Sequence, residues 1–241
     1  MPTTNTEHRT PRSRPAPSPS TLVLLVRHGT TPTTGKVLPG RAPGLHLADR
    51  GKEQAETVAG RLASWVTRTA TPSVRGAADT PESPIKAVYA SPLERTRETA
   101  APIARSLGLK AQVHRGLLEC DFGDWTGAEL KKLMKLPEWT TVQRYPSGFC
   151  FPGGESFTAM QARIVTTLAE LCRKHPNEAI VAVSHADPIK AAVAAALGSH
   201  LDLFQRIVVS PCSVTAISYG AAGPTVLAVN STSALTELVP S

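Results

Sequence analysis

The sequence predicts an α/β fold: a three-layer sandwich with a mostly parallel central sheet and helices on both of its faces. Three short, mainly apolar runs have the pattern of strands buried on both faces, and they are Leu22–Val26, Ile85–Ala90 and Ala179–Ser184. Segments with apolar side chains at helical spacing follow these runs. Such alternation of buried strands and amphipathic helices is typical of parallel sheets covered on both sides.

The first half of the chain supplies two strand-helix units. After the first strand, a helix is expected from Asp49 to about Arg68, because its apolar positions recur with helical periodicity. The second strand leads into a helix that begins near Leu93 and ends before Gly108, a residue type favoured just after a last helical turn. A short third strand is expected at residues 111–114.

The second half continues the alternation. Apolar positions from Phe157 onward predict a longer helix, which Ser156 can cap. The next buried strand is followed by a helix over Asp187–Leu197, and two strands close the chain at Val214–Tyr219 and Thr225–Val229. One strand at the edge of the sheet is expected to run antiparallel to the others.

Two stretches of the 241 residues do not fit the alternation. Residues 1–20 contain five prolines, three arginines and almost no large apolar side chains, so they are expected to form a disordered, basic, Pro/Ser-rich tail. Residues 69–84 are rich in Pro, Thr, Ser and Ala and predict a long, mobile loop. The remainder, residues 21–241, is expected to be one domain.

Composition excludes several classes of protein. No uninterrupted apolar run is longer than seven residues, far fewer than a membrane-spanning helix needs. The net charge of +7 is spread without a Lys/Arg block, which favours a solvated surface over a nucleic-acid interface, although the basic tail leaves weak nucleic-acid binding open. The four cysteines lie far apart, which indicates neither a zinc site nor a disulfide framework and is typical of reduced thiols in the cytoplasm.

Side chains suited to phosphate chemistry follow the predicted strands. Ligands of such sheets bind beyond the carboxyl ends of the strands, where Arg27, His28, Arg95 and His185 are expected to meet. Two guanidinium groups can grip a phosphoryl group, and a neutral imidazole can attack its phosphorus to give a phosphohistidine. The leaving oxygen then needs a proton, for which Glu119 is the candidate acid.

Several segments, in this order, resemble the histidine phosphatase superfamily, also called the phosphoglycerate mutase-like family. The match covers roughly Leu22 to Leu197. The segments that carry it are Arg27-His28-Gly29, the residues Gly40, Leu47, Gly51, Gln54 and Ala55, Ser91 to Ala100, Leu118-Glu119 with Gly123, Trp125 and Gly127, Pro152 to Ser156, and Ser184-His185. The segment 202–214 further resembles an actinobacterial subgroup of phosphomutases and phosphatases.

The resemblance implies a phosphoglycerate mutase-like fold and a role for each candidate. It implies that His28 is phosphorylated, that Arg27 and Arg95 bind phosphate, and that His185 binds phosphate and stabilises the transition state. Glu119 matches the position of the family's acid, while the nearby Asp121 remains an alternative acid on the same extended segment.

Two positions depart from the family pattern. Threonines stand where the family often has a phosphate-binding asparagine, and the hydroxyl of Thr34 is expected to contact substrate instead. Ala186 replaces the usual glycine after the second histidine; its backbone N–H is expected to bind substrate, but its methyl group would resist a positive φ angle. The leaving group is expected near Arg41, Phe149 and Phe151.

The functional hypothesis is a phosphomonoester hydrolase that acts through a phosphohistidine on a small phosphorylated metabolite. It is expected to need neither a metal ion nor another cofactor, to be cytoplasmic, and to have no nucleic-acid or membrane partner; a homo-oligomer is compatible with the sequence. Two alternatives stay open. One is a phosphoglycerate mutase-type phosphotransferase that depends on a cofactor, and the other is a noncatalytic phosphate-binding module.

Overall fold

The computed structural model of the chain describes residues 20–69 and 84–233. The expected tail, apart from Ser20, and residues 70–83 of the expected loop lie outside the described residues. The strands are β1 (Ser20–Arg27), β2 (Ile85–Ala90), β3 (Ala111–Val113), β4 (Ala179–Ser184), β5 (Val214–Gly220) and β6 (Gly223–Ser231). The α-helices are α1 (Asp49–Thr69), α2 (Glu94–Ser106), α3 (Leu130–Leu133), α4 (Glu138–Arg144), α5 (Phe157–Lys174) and α6 (Ala186–Ala196).

The six strands form one mixed, mostly parallel sheet in the order β3-β2-β4-β1-β5-β6. The first four strands along the chain are parallel to one another, while β5 is antiparallel to both of its neighbours. The expectation of an antiparallel edge strand was wrong in one respect. The strand β5 lies inside the sheet, because the hairpin at residues 220–223 places β6 outside it as the edge.

Alternate side chains of β1 pack into two separate hydrophobic clusters, one on each face of the sheet. Leu22, Leu24 and Val26 pack against α1 and α2, whereas Val23 and Leu25 pack against α5 and α6. Because both faces are covered, β1 is apolar at consecutive positions rather than at alternate ones. The predicted three-layer sandwich is therefore confirmed. Among the described residues, no helix is long and apolar enough to cross a membrane.

The predicted helix ends are confirmed by local geometry. The hydroxyl oxygen of Ser156 accepts a hydrogen bond from the backbone N–H of Ala159 at 3.0 Å and so caps α5. The helices α2 and α6 each end close to a glycine in the left-handed region, with φ of +67° at Gly108 and +64° at Gly198. These residues end the helices without the steric cost that a side chain would bring.

The loop that leaves β1 packs directly against the start of α1. A Cβ atom added to Gly51 would lie 2.1 Å from the carbonyl oxygen of Thr30, and one added to Gly29 would lie 2.5 Å from the carbonyl oxygen of Gly51. The side chain of Gln54 also accepts a hydrogen bond from the backbone N–H of Thr30 at 2.9 Å. The first two turns of α1 therefore fix the backbone that follows residue 28.

We expect Gly51→Ala to destabilise the fold by about 1–3 kcal/mol, because the added methyl group overlaps a backbone oxygen. Gly60→Ala is the matched control on the same helix: a Cβ there meets nothing within 4 Å, so better helix propensity should add about 0.5–1 kcal/mol. Urea unfolding measures both changes. Equal effects of the two substitutions would contradict the close approach of loop and helix.

Candidate active site

The sheet brings the two candidate histidines together. Because β1 and β4 are parallel neighbours with Arg27 opposite Ser184, the residues that follow them, His28 and His185, leave the sheet side by side. The backbone N–H of His28 donates to the carbonyl of Ser184 at 3.0 Å, and the two imidazole rings lie 5.2 Å apart between centroids. Both predicted histidines therefore occupy the same edge of the sheet.

His28 is held as a neutral imidazole with a free nitrogen lone pair. Its Nδ1 lies 2.8 Å from the carbonyl oxygen of Gly29, and since a carbonyl only accepts, Nδ1 carries the proton and Nε2 does not. Burial lowers the pKa of His28 to about 3, and the positive charges of Arg95 and Arg27 add to the effect. A neutral imidazole with an unprotonated Nε2 is the form that can act as a nucleophile.

Buried N–H donors surround His28. Arg27 and Arg95 each donate to one backbone carbonyl at 2.7 Å, on Val209 and Gly40 respectively. Nε of Arg27, Nε and one terminal nitrogen of Arg95, and Nδ1 of His185 are buried with no hydrogen-bond partner in the described part of the chain. Buried polar groups are normally paired, so this set fits a bound anion beside His28.

Glu119 provides a carboxyl group whose proton affinity suits acid catalysis. The residue is only 8% exposed, and burial together with the negative charge of Asp187 raises the pKa of Glu119 to about 7. Arg95, Arg27 and the backbone N–H of Cys120 oppose this shift without cancelling it. A carboxyl group with this pKa can donate a proton near neutral pH and accept one back.

Asp121, the alternative acid, is placed differently. Its carboxylate pairs with Arg41 at 3.2 Å and is 40% exposed, whereas Glu119 lines the cavity that contains His28. Phe149 and Phe151 are buried in an aromatic cluster and are not among the residues that line that cavity, and the guanidinium group of Arg41 contacts the backbone of Glu119. The expected position of the leaving group near these three residues stays a prediction. Both phenylalanines pack in the core because the adjacent helix α5 presents Phe157 to them.

The cavity has a volume of about 410 Å³ and opens at this edge of the sheet. Arg27, His28, Glu119, Thr34 and Ala186 line it, while Arg95 and His185 are fully buried beside His28. The sequence reasoning missed four polar residues of the lining, namely Thr31, Asp187, Lys190 and Gln205. The signal available for Lys190 was helical spacing, since it stands four residues after Ala186 on the predicted helix.

The two positions that depart from the family pattern are accommodated by local structure. Ala186 is the first residue of α6 and has an ordinary negative φ, so its methyl group requires no left-handed backbone. The hydroxyl of Thr34 accepts a hydrogen bond from the backbone N–H of Thr31 at 2.8 Å and so closes a turn at the cavity wall. Contact of either residue with substrate stays a prediction.

Fold and site together define an α/β protein with buried arginine and histidine nitrogen atoms around a neutral histidine at the carboxyl edge of its sheet. The family model of the histidine phosphatase superfamily (branch 1) matches residues 23–80 and 71–232. The chain belongs to this superfamily, and the family resemblance of the sequence motifs is confirmed.

Named relatives agree with this membership. The chain is 31% identical over 187 residues to phosphoserine phosphatase 1 of Hydrogenobacter thermophilus, which covers 76% of this chain and 79% of the relative. It is 31% identical over 206 residues to the bifunctional protein Rv2228c of Mycobacterium tuberculosis, covering 84% of this chain and 51% of that protein, or about half its length. The mycobacterial glucosyl-3-phosphoglycerate phosphatase Rv2419c has the same fold, with a TM-score of 0.73 at 22% identity over 88% of this chain and all of that one.

We expect the imidazole of His28 to remain neutral, with its proton on Nδ1, from pH 5 to pH 9, because its pKa is about 3. ¹⁵N NMR of the labelled protein measures this directly, and the His28→Gln variant assigns the signals. An imidazolium signal from His28 at pH 5.5 would contradict the electrostatic description of the site.

Proposed function

We propose that this protein is a metal-independent phosphomonoesterase that forms a phosphohistidine on His28. The observation that carries the proposal is the position of His28: its neutral ring lines a cavity of about 410 Å³ and lies among buried guanidinium groups. Such groups attract a phosphoryl group and disperse the charge that develops on it. The proposal thus assigns charge stabilisation to Arg27, Arg95 and His185, which fill the role that a metal ion has in other phosphatases.

The proposed reaction has two displacements. In the first, Nε2 of His28 attacks phosphorus, the bond from phosphorus to the ester oxygen breaks, and the Glu119 carboxyl group protonates the departing oxygen. In the second, the Glu119 carboxylate takes a proton from water as the water oxygen attacks phosphorus. The bond from phosphorus to nitrogen breaks, inorganic phosphate leaves, and His28 and Glu119 return to their starting forms.

We expect His28→Ala to lower phosphate release from 4-nitrophenyl phosphate by about 10⁴-fold or more, because it removes the nucleophile. Chelator should leave the wild-type rate unchanged. The matched control is His200→Ala, since His200 is 68% exposed and does not line the cavity. Residual activity of His28→Ala close to wild type, or inactivation by chelator, would contradict the mechanism.

The same assay separates the two alternatives from the proposal. Interconversion of phosphoglycerates that exceeds phosphate release would identify a mutase. Binding of inorganic phosphate without turnover of any ester would identify a noncatalytic module. The cytoplasmic location and a homo-oligomer stay predictions that no structural observation tests.

We expect turnover of alkyl phosphates to fall as pH rises above about 7, because Glu119 must be protonated to donate to a strongly basic leaving oxygen and its pKa is about 7. Glu119→Gln should remove this alkaline limb of the kcat/KM profile and Asp121→Asn should retain it. Loss of the limb in Asp121→Asn alone would assign the acid to Asp121 instead.

The outer part of the cavity suits a leaving group with a carboxylate. Lys190 lines it, with its ammonium group 3.1 Å from the side-chain oxygen of Gln205 and at a longer distance of 3.3 Å from Asp187. It stands one helical turn, or roughly 5–6 Å along α6, beyond Ala186 at the phosphate end. Two of the proteins named above are phosphatases of phosphoserine and of glucosyl-3-phosphoglycerate. Both compounds are phosphate esters that carry a carboxylate, and we propose the same class of substrate for this chain.

We expect the wild-type enzyme to prefer 3-phosphoglycerate over glycerol 3-phosphate, which lacks the carboxylate. Lys190→Met should reduce the ratio of the two kcat/KM values by about 10- to 100-fold, the worth of one charge-assisted hydrogen bond. Lys174→Met, at the exposed end of α5, is the matched control and should keep the ratio. Equal ratios in wild type and Lys190→Met would reject the carboxylate site.

A further inference from the structure

Three charged side chains meet at the backbone of Glu119. Arg41 donates from Nε to the carbonyl oxygen of Glu119 at 2.8 Å, and Arg163 donates to the same oxygen at 3.3 Å and to that of Leu118 at 2.8 Å. Glu155 joins the two guanidinium groups, with contacts of 2.9 Å to Arg41 and two contacts of 2.9 Å to Arg163. We call Arg41, Glu155 and Arg163 the clamp.

The three members of the clamp come from distant parts of the chain. Arg41 precedes α1, Glu155 precedes α5 and Arg163 lies within α5. Each is mostly buried, with side-chain exposures of 29%, 15% and 20%. Ion pairs in such surroundings are less screened than surface pairs, and the two-point contact of Arg163 with Glu155 fixes its geometry.

The target of the clamp is an irregular segment. Residues 118–122 lie between two short 3-10 helices, so no helix or strand ladder holds the backbone of Glu119. The hydroxyl of Ser184 anchors the preceding residue, Leu117, through a 2.8 Å hydrogen bond to its carbonyl. The clamp supplies the hydrogen bonds to the backbone carbonyl of Glu119, while the backbone N–H of Cys120 donates to the Glu119 carboxyl group at 2.9 Å. The placement of Glu119 in the cavity therefore depends in part on side chains outside the cavity.

We propose that Arg41, Glu155 and Arg163 are positioning residues that hold Glu119 within proton-transfer distance of the leaving oxygen. This inference rests on the proposed function, because it assumes that Glu119 is the acid. Proton transfer requires a heavy-atom distance of about 2.6–3.2 Å, and a misplacement of about 1 Å can cost about 10²-fold in rate. The clamp does not touch the substrate cavity, since none of its members lines it.

Position and proton affinity can be separated at this site. The pKa of Glu119 is raised mainly by burial and by Asp187 and lowered mainly by the backbone N–H of Cys120, Arg95 and Arg27, and no member of the clamp is among these largest influences. Loosening the clamp should therefore move the carboxyl group without moving its titration. A variant that acted through proton affinity would instead shift the pH at which activity falls.

The test uses two esters that differ in their need for a proton. The leaving group of 2,4-dinitrophenyl phosphate departs without protonation, whereas that of 3-phosphoglycerate requires it. We expect Glu155→Gln, which keeps the shape but removes the charge, to raise the ratio of kcat/KM for the aryl ester to that for the alkyl ester by about 10- to 100-fold. The midpoint of the alkaline limb should stay where it is in the wild type.

A second variant and a control distinguish a loss of positioning from a loss of folding. Arg163→Lys keeps the positive charge but loses the forked contact, so its ratio should rise in the same direction, and the thermal midpoint of each variant establishes that it is folded. The exposed Glu138 gives the matched control Glu138→Gln, whose ratio should equal that of the wild type.

The outcomes are distinct. Equal loss of both activities in the folded variants, or a shifted midpoint, would overturn the positioning role while leaving the proposed function intact. Failure of the wild-type protein to hydrolyse either ester would overturn the proposed function itself.

Discussion

The parallel pairing of β1 with β4 is the contact on which the candidate site depends. The register sets Arg27 opposite Ser184, so the next residues, His28 and His185, leave neighbouring strands at the same level. Burial of both strands on two faces holds this register, because a slip by one residue would exchange the side chains of the two hydrophobic clusters. The packing that forms the sandwich therefore also places the two histidines of the site side by side.

The electrostatics of the site follow from burial. Arg95 has no exposed surface, and a buried guanidinium group with few partners costs free energy that the rest of the fold must offset. The same burial lowers the pKa of His28 and raises the pKa of Glu119 to about 7, and the buried arginine charges that oppose folding also help to keep the nucleophile His28 neutral. A bound phosphoryl group would neutralise the arginines and relieve part of this cost.

The architecture and the residues around His28 could be predicted from the sequence because short segments of the chain indicate them. The apolar run at residues 22–26 is continuous, and the strand-end rule brings Arg27, His28 and His185 to one edge. The position of β5 could not be predicted in the same way, because strand order depends on which edge remains open when the last hairpin folds. The final hairpin pairs through β5 with the free edge of β1, whereas β3 remains the edge strand at the other side of the sheet.

The contacts of the clamp and the position of Lys190 could not be predicted from the sequence for a similar reason. Arg41 and Glu155 are 114 residues apart and meet only in the folded chain, and the motif at residues 152–156 that contains Glu155 does not reveal its partner. In the sequence, Lys190 cannot be distinguished from a surface lysine on a helix. Only the fold shows that residues 205 and 207–209 line the same cavity beside it. Long-range contacts of single polar side chains leave little trace in periodicity, which reports burial of whole faces.

The central claim is that His28 carries the phosphoryl group during turnover, and rapid-quench labelling tests it most directly. The protein is mixed with an aryl phosphate, quenched in base within milliseconds to seconds, digested, and mapped by mass spectrometry. We expect acid-labile, base-stable phosphate on the peptide that contains His28, formed no more slowly than steady-state turnover. Turnover without phosphate on that peptide, or phosphate on another residue, would contradict it.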